Sequence, residues 1–224
     1  MSYAAIADAF GLSKGRVGQI TQAGPRLERG LFGVGPITVA VPLRPGEGRL
    51  LPVIASEDAL ASERLTEFLR DLQFDVEPYR IPVGGGWKPS GDVVAICGPA
   101  SSPVTAKALQ ADPVLDYHQE PGGRWAITDR ESGETYRSPL DDSSDAGTDI
   151  AYLGRLPIPG GTAMFIGGIH ALGSVGAVDY LIRNATELYQ EVEGRRFSLV
   201  TRSQHDGESV TGSEALSPPR LHAP

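Results

Sequence analysis

Two short segments concentrate the residues able to hold or transform a ligand: Gly98-Pro99-Ala100-Ser101-Ser102-Pro103 and Gly167-Gly168-Ile169-His170-Ala171-Leu172-Gly173-Ser174. Each follows an apolar run and opens a helical pattern. A turn of that kind presents backbone N–H groups at the positive end of a helix dipole, where an anion or phosphate is stabilised. The candidate ligand-binding positions are Gly98, Ser101 and Ser102 in the first segment and Gly168, His170, Gly173 and Ser174 in the second. Small residues also serve tight strand-to-helix turns, so the pattern admits a structural role as well. Gly168 and Gly173-Ser174 have the glycine spacing of a phosphate-binding P-loop, but Ser174 stands where that loop has lysine, which argues against NTP hydrolysis. No Gly-x-Gly-x-x-Gly fingerprint occurs, and Leu172 breaks a Gly-x-Ser-x-Gly elbow around Ser174.

Acid–base chemistry would need a pair such as His170 with Asp141, Asp142 or Asp149 from the acidic stretch 141–149. Arg137 and Arg155, each beside an expected strand end, are further ligand-binding candidates, able to hold a phosphate or to pair with those aspartates. No residue is assigned as catalytic. His118, His170, His205 and His222 are scattered without metal-ligand spacing, so neither a metal nor another cofactor is expected.

The elements that must position these groups follow from the apolar pattern. Ile37 to Leu43 and Leu50 to Ala55 read as buried strands, and Ser56 caps a helix with Glu57 and Asp58 in its first turn. Leu60, Leu65, Phe68, Leu69 and Leu72 form one stripe on that helix. Phe74 to Val83 is extended, and Asp92 to Cys97 is a buried strand. Ser102 as N-cap with Pro103 behind it starts a helix reaching about Gln110. Val114 to Ser138 reads as three short antiparallel strands, Asp141 to Asp149 as a surface loop, and Met164 to Ile166 as a strand entering a helix. Arg196 to Thr201 is a last strand, and residues 203–224 are expected as a disordered tail. The expected class is α/β: a Rossmann-like three-layer domain over 37–202 with an antiparallel β-meander insertion, preceded by a linker at 24–36. If the strands before the two loops lie side by side and parallel, both loops open at one sheet edge, where α/β folds bind ligands.

Residues 1–23 form a separate unit. Two helices that cross closely need a small residue at the crossing, a glycine at the turn and apolar residues between them, and Ala7, Gly11, Ile6, Leu12, Val17 and Ile20 supply these. Ala5 to Ile20 resembles the helix-turn-helix of sigma-factor region 4 and related bacterial regulators. That resemblance implies a second helix in the DNA major groove, exposing Ser13, Lys14, Arg16 and Gln19. Arg16 and Gln19 then suit base edges, and Ser13 and Lys14 suit phosphates. Gly15 and Gly18 depart from the usual pattern, each at about 1 kcal/mol relative to alanine. The span Gly91 to Leu181 is similar to a domain recurring in uncharacterised bacterial and archaeal proteins; that likeness carries no activity with it.

Charge agrees with this division. The net charge of -8 argues against a protein that coats nucleic acid over its whole surface. Yet residues 1–30 carry Lys14, Arg16, Arg26 and Arg29 against Asp8 and Glu28, a net +2, which leaves -10 for the remainder. A single cysteine, Cys97, excludes an internal disulfide and fits a reducing cytoplasm, and no apolar run approaches the roughly 20 residues of a membrane span. The sequence therefore reads as a cytoplasmic, homodimeric transcription regulator that binds DNA weakly through one module and senses a small anionic or nucleotide-like ligand. Two other readings stay open: a nucleotide- or nucleoside-processing enzyme with a structural helical hairpin, and a protein-interaction module of a bacterial defence or signalling system.

Overall fold

The computed structural model describes residues 2–23, 26–46, 48, 50–142 and 147–223, and the side chains of 19–23 lie outside that description. Two short helices, α1 (Tyr3–Phe10) and α2 (Lys14–Ala23), come first. Gly11 takes the left-handed conformation between them (φ 63°) and donates its N–H to Ala7 O, ending α1 as a glycine C-cap does. Ser13 Oγ accepts the Arg16 N–H at 3.1 Å and so caps α2. Ala7 and Val17 are buried.

The remainder is a mixed α/β fold built on one large sheet. Its strands are β1 (Ile37–Pro42), β2 (Val76–Ile81), β3 (Asp92–Ile96), and, after a three-stranded meander β4 (Leu115–Gln119), β5 (Trp125–Asp129) and β6 (Thr135–Arg137), β7 (Thr148–Ile158), β8 (Gly161–Gly168), β9 (Phe197–Asp206) and β10 (Ser209–Ala215). The sheet order is β10-β9-β7-β8-β3-β1-β2, and β11 (Arg220–Leu221) pairs with β9. β2, β1, β3 and β8 are mutually parallel; β7 enters antiparallel to β8 and to β9.

Period-two alternation sends side chains of each strand to opposite faces, where two cores form. On one face Val39, Val94, Ile96 and Ile166 meet α3 (Ser56–Asp71), α5 (Ala171–Arg183) and α6 (Ala185–Val192). Ala61, Leu65 and Leu69, at i, i+4 and i+8 of α3, are wholly buried there. On the other face Ala40, Val93, Ala95 and Phe165 meet Leu109 of α4 (Pro103–Leu109) and Leu115, Tyr117 and Ile127 of the meander. Helices on one face, and α4 with the meander on part of the other, give three layers.

Several expectations are corrected. The segment 50–55 is no strand: Leu50 and Leu51 stand in solvent, and only Val53 makes a bridge, to Arg44. Apolar content without neighbouring backbone to pair with does not make a strand. Residues 203–223, expected as a tail, extend β9 and form β10 and β11; β10 lies at the sheet edge, where a strand carries little buried apolar surface, so its Ser, Thr and Glu content concealed it. The described part of the linker is docked: Leu31 and Phe32 enter the core, and the Arg29 guanidinium lies 3.7 Å from the centre of the Phe74 ring. Asp149, expected in a surface loop, lies fully buried within β7; positions 143–146 of that loop lie outside the described residues. Among the described residues no helix is long and apolar enough to cross a membrane.

Candidate functional site

From β1 the chain steps to β2 on one side, and on the other side lie β3 and β8. The carboxyl ends of β1 and β3 flank the point where that order reverses, the place where open α/β sheets leave a crevice. Three segments meet there: Leu43-Arg44 after β1, Gly98 to Ser102 after β3, and Ile169-His170 after β8. Both glycine-rich loops therefore do open at one edge. They enclose a cleft of about 190 Å³ lined by Arg44, Asp58, Gly98, Ser101, Gly168, His170 and Ser174.

Arg44 and Asp58 form its charged wall. Val53 holds Arg44 by two backbone hydrogen bonds of 2.8 and 2.9 Å, and α3 delivers Asp58 in its first turn. Arg44 Nη2 donates to Asp58 Oδ2 at 2.8 Å. Asp58 is 1% exposed, and its Oδ1, like Arg44 Nε, is buried with no hydrogen-bond partner. Burial pushes the Asp58 carboxyl above its ordinary value, and Arg44 opposes that rise. The sequence marks neither as a site residue; Asp58 reads there only as a first-turn helix acid. They are 14 positions apart with a turn-rich loop between them, and no local pattern signals their pairing.

The second loop is organised from within. Asp149 Oδ2 accepts N–H groups of Gly173 at 2.6 Å and His170 at 3.2 Å, while Oδ1 accepts the Ser138 hydroxyl at 2.6 Å and the Ile150 N–H at 2.8 Å. The acceptor at the start of α5 is thus part of the chain, a carboxyl that burial pushes above its ordinary value while the bonds from Ser138, Ile150 and Gly173 pull it back down. A Cβ on Gly173 would lie 2.6 Å from Ile150 O, and Ser174 Oγ accepts the Gly168 N–H at 2.9 Å. Gly173 and Ser174 are both buried, so in these two the structural role is the one the geometry displays. His170 Nε2 stands 3.1 Å from Asp141 Oδ1 at the cleft rim, the pairing expected of His170 with one of the acidic residues. Asp141 Oδ2 is buried without a partner.

In the first loop, Ser101 lines the cleft, whereas Ser102 is buried as the N-cap of α4, accepting the Thr105 N–H at 3.2 Å. Burial pushes the Cys97 thiol up to about 12, which removes it as a nucleophile at neutral pH. Arg137 and Arg155 do not join the cleft. Arg137 makes a two-pronged contact with Glu120 on the meander surface, its Nε donating at 2.9 Å. Arg155 lies near the amino ends of the parallel strands, donating from Nε to Thr162 Oγ1 at 2.9 Å and from Nη1 to the carbonyl oxygens of Gly30 and Gly194.

At the amino-terminal pair, Ser13, Lys14 and Arg16 are exposed on or beside α2. The Gln19 side chain lies outside the described residues. Among the described residues no group of His, Cys, Asp and Glu is placed to hold a metal. Comparison of the chain with protein-family models, curated proteins and solved structures finds no match.

Proposed function

We propose that the protein is a DNA-binding transcription regulator in which a Rossmann-like α/β domain senses a small anionic, nucleotide-like ligand. The observation that carries this reading is the Arg44–Asp58 pair in the carboxyl-edge cleft, with one buried polar atom on each side chain left without a partner. A buried donor or acceptor without a partner costs about 1 to 3 kcal/mol, so a group entering the cleft that rearranges and completes the pair binds at an advantage. Arg44 suits a phosphate or carboxylate, and Asp58 suits a hydroxyl or amino donor. Ser101 and the rim imidazole of His170 add further polar contacts. A volume of about 190 Å³ fits a sugar phosphate better than a whole dinucleotide.

The amino-terminal helices act as a sigma-region-4-like helix-turn-helix, with Ser13, Lys14 and Arg16, together with Gln19, toward DNA. Exposed Lys14 and Arg16 on a locally positive segment of an acidic protein support this role. Two helices give few contacts, so the regulator works as a homodimer on half-sites about one DNA turn apart.

The test combines ribose 5-phosphate titration by calorimetry with DNA binding by fluorescence anisotropy at low salt. Arg44→Ala abolishes the first signal, and Lys14→Ala with Arg16→Ala abolishes the second. Unchanged affinity in either variant overturns the corresponding half of the proposal. One contact favours a second reading, an enzyme of nucleotide or nucleoside metabolism: His170 Nε2 lies 3.1 Å from Asp141 Oδ1, a base and its orienting carboxylate at the cleft rim. Turnover of a nucleoside or nucleotide that is lost in His170→Ala would replace the sensor by that enzyme.

A further inference from the structure

The sheet face that carries α4 is incompletely covered. α4 is only seven residues long, and beside it lies a groove of about 770 Å³ bounded by the segment 85–89 and by the turn joining β7 to β8. Its walls are apolar: Trp87, Val104, Ala108, Pro157 and Ile158. Trp87 stacks on Tyr79 with ring centroids 4.7 Å apart, and Val104, Ala108 and Ile158 continue the buried core beneath. The volume lies within the range of about 300 to 1,000 Å³ usual for small-molecule sites.

The mouth of this groove is positive. Lys88 and Lys107 both line it, and they are two of the three lysines in the whole chain. Both are exposed, and neither has a salt-bridge partner among the described residues, whereas Arg44, Arg124, Arg130, Arg137, Arg202 and Arg220 are each paired with a carboxylate. Two uncompensated cations at the opening of an apolar groove, on a protein of net charge -8, select by charge as well as by shape.

We propose that this groove binds an amphipathic carboxylate, with an acyl chain along Trp87, Val104 and Ile158 and the carboxylate between Lys88 and Lys107. The site shares no lining residue with the Arg44 cleft and stands independently of the function proposed above.

The experiment is calorimetric titration of the full chain with dodecanoate below its micelle concentration, with dodecyltrimethylammonium as the charge-reversed control. Saturable binding at one site per chain is expected for the carboxylate and none for the ammonium. The double variant Lys88→Glu/Lys107→Glu weakens dodecanoate at least tenfold, and Lys88→Ala/Lys107→Ala weakens it to a smaller degree. These side chains are exposed, so both variants keep the native circular dichroism spectrum. Trp87→Ala also weakens binding, and an excess of ribose 5-phosphate does not displace dodecanoate. Absence of saturable binding, equal binding of the ammonium, wild-type affinity in the lysine variants, or displacement by ribose 5-phosphate would each overturn the proposal.

Discussion

Asp149 Oδ2 and the backbone nitrogen of Gly173 lie 2.6 Å apart, which puts a wholly buried carboxylate from β7 at the first turn of α5. The positive end of a helix dipole favours an acceptor there, and here the chain supplies that acceptor itself. The second glycine-rich loop is therefore closed on its inner side. What remains open at the sheet edge is the space between Arg44, Asp58 and Ser101.

Replacing Asp149 by alanine removes the acceptor for four donors at once, from Ser138, Ile150, His170 and Gly173. With buried N–H groups unpaired and the dipole uncompensated, a loss of about 3 kcal/mol is expected in urea denaturation. Ser138→Ala removes one of these bonds and costs about 1 kcal/mol. An Asp149→Ala protein as stable as the native one would show that the contact is incidental.

Arg44 is expected to matter more in alkali than in acid. A carboxyl whose pKa is higher in the native than in the unfolded chain, as burial makes that of Asp58, stabilises the fold at low pH. That contribution fades as pH rises through the native pKa. Loss of Arg44 raises the pKa further, so Arg44→Ala loses about 2 to 3 kcal/mol at pH 8, where Asp58 must carry an unpaired buried charge. The figure sits below that for a fully buried pair because the guanidinium side chain is 37% exposed. At pH 4 the deficit narrows, and denaturation at the two pH values measures the difference. Equal deficits at both would remove Asp58 from the account.

Features set by local chemistry were legible in the sequence. Ser102 with Pro103 announced α4, the stripe through Leu65 and Leu69 announced α3, and the turn residues between 114 and 138 announced the meander. Features set by distant partners were not. β7 was missed because Gly154, Arg155 and Pro157 interrupt its apolar run. Gly154 is small because the Tyr152 side chain and Phe197 O leave no room for a Cβ, and Arg155 is held by carbonyl groups from residues 30 and 194. The same holds for the cleft: the glycine loops marked its edge, but Asp58 looked like an ordinary first-turn helix acid until Arg44 was beside it.

The glycines divide into two kinds, which substitution separates. A Cβ at Gly98 would lie 2.6 Å from Gly168 O, the same carbonyl that accepts the Tyr117 hydroxyl at 2.6 Å. Gly98→Ala must move backbone in a packed place and is expected to cost about 1 to 3 kcal/mol. A Cβ at Gly18 of α2 meets nothing within 4 Å, so Gly18→Ala should instead stabilise α2 by about 1 kcal/mol through its helix propensity. Thermal denaturation of the two variants gives shifts of opposite sign; shifts of the same sign would contradict this division.

His222 makes the attachment of the last strand sensitive to pH. Its side chain is only 2% exposed, with Nε2 3.0 Å from Ser198 Oγ and 3.6 Å from Asp112 Oδ1, while Asp112 Oδ2 accepts the Tyr152 hydroxyl at 2.7 Å. Burial pushes the imidazole below its ordinary value of 6.5, against the attraction of Asp112. Above that value both docked and undocked forms are neutral, and docking has its full stability. As pH falls through 6.5 the undocked histidine takes up a proton that the docked one resists, so docking weakens toward acid. Amide hydrogen exchange at residues 220–223, corrected for intrinsic rates, should therefore accelerate between pH 7.5 and 5.5. His222→Gln cannot acquire the charge, and its corrected exchange should be level over that range. If the acceleration survives that substitution, the proton responsible sits on another group.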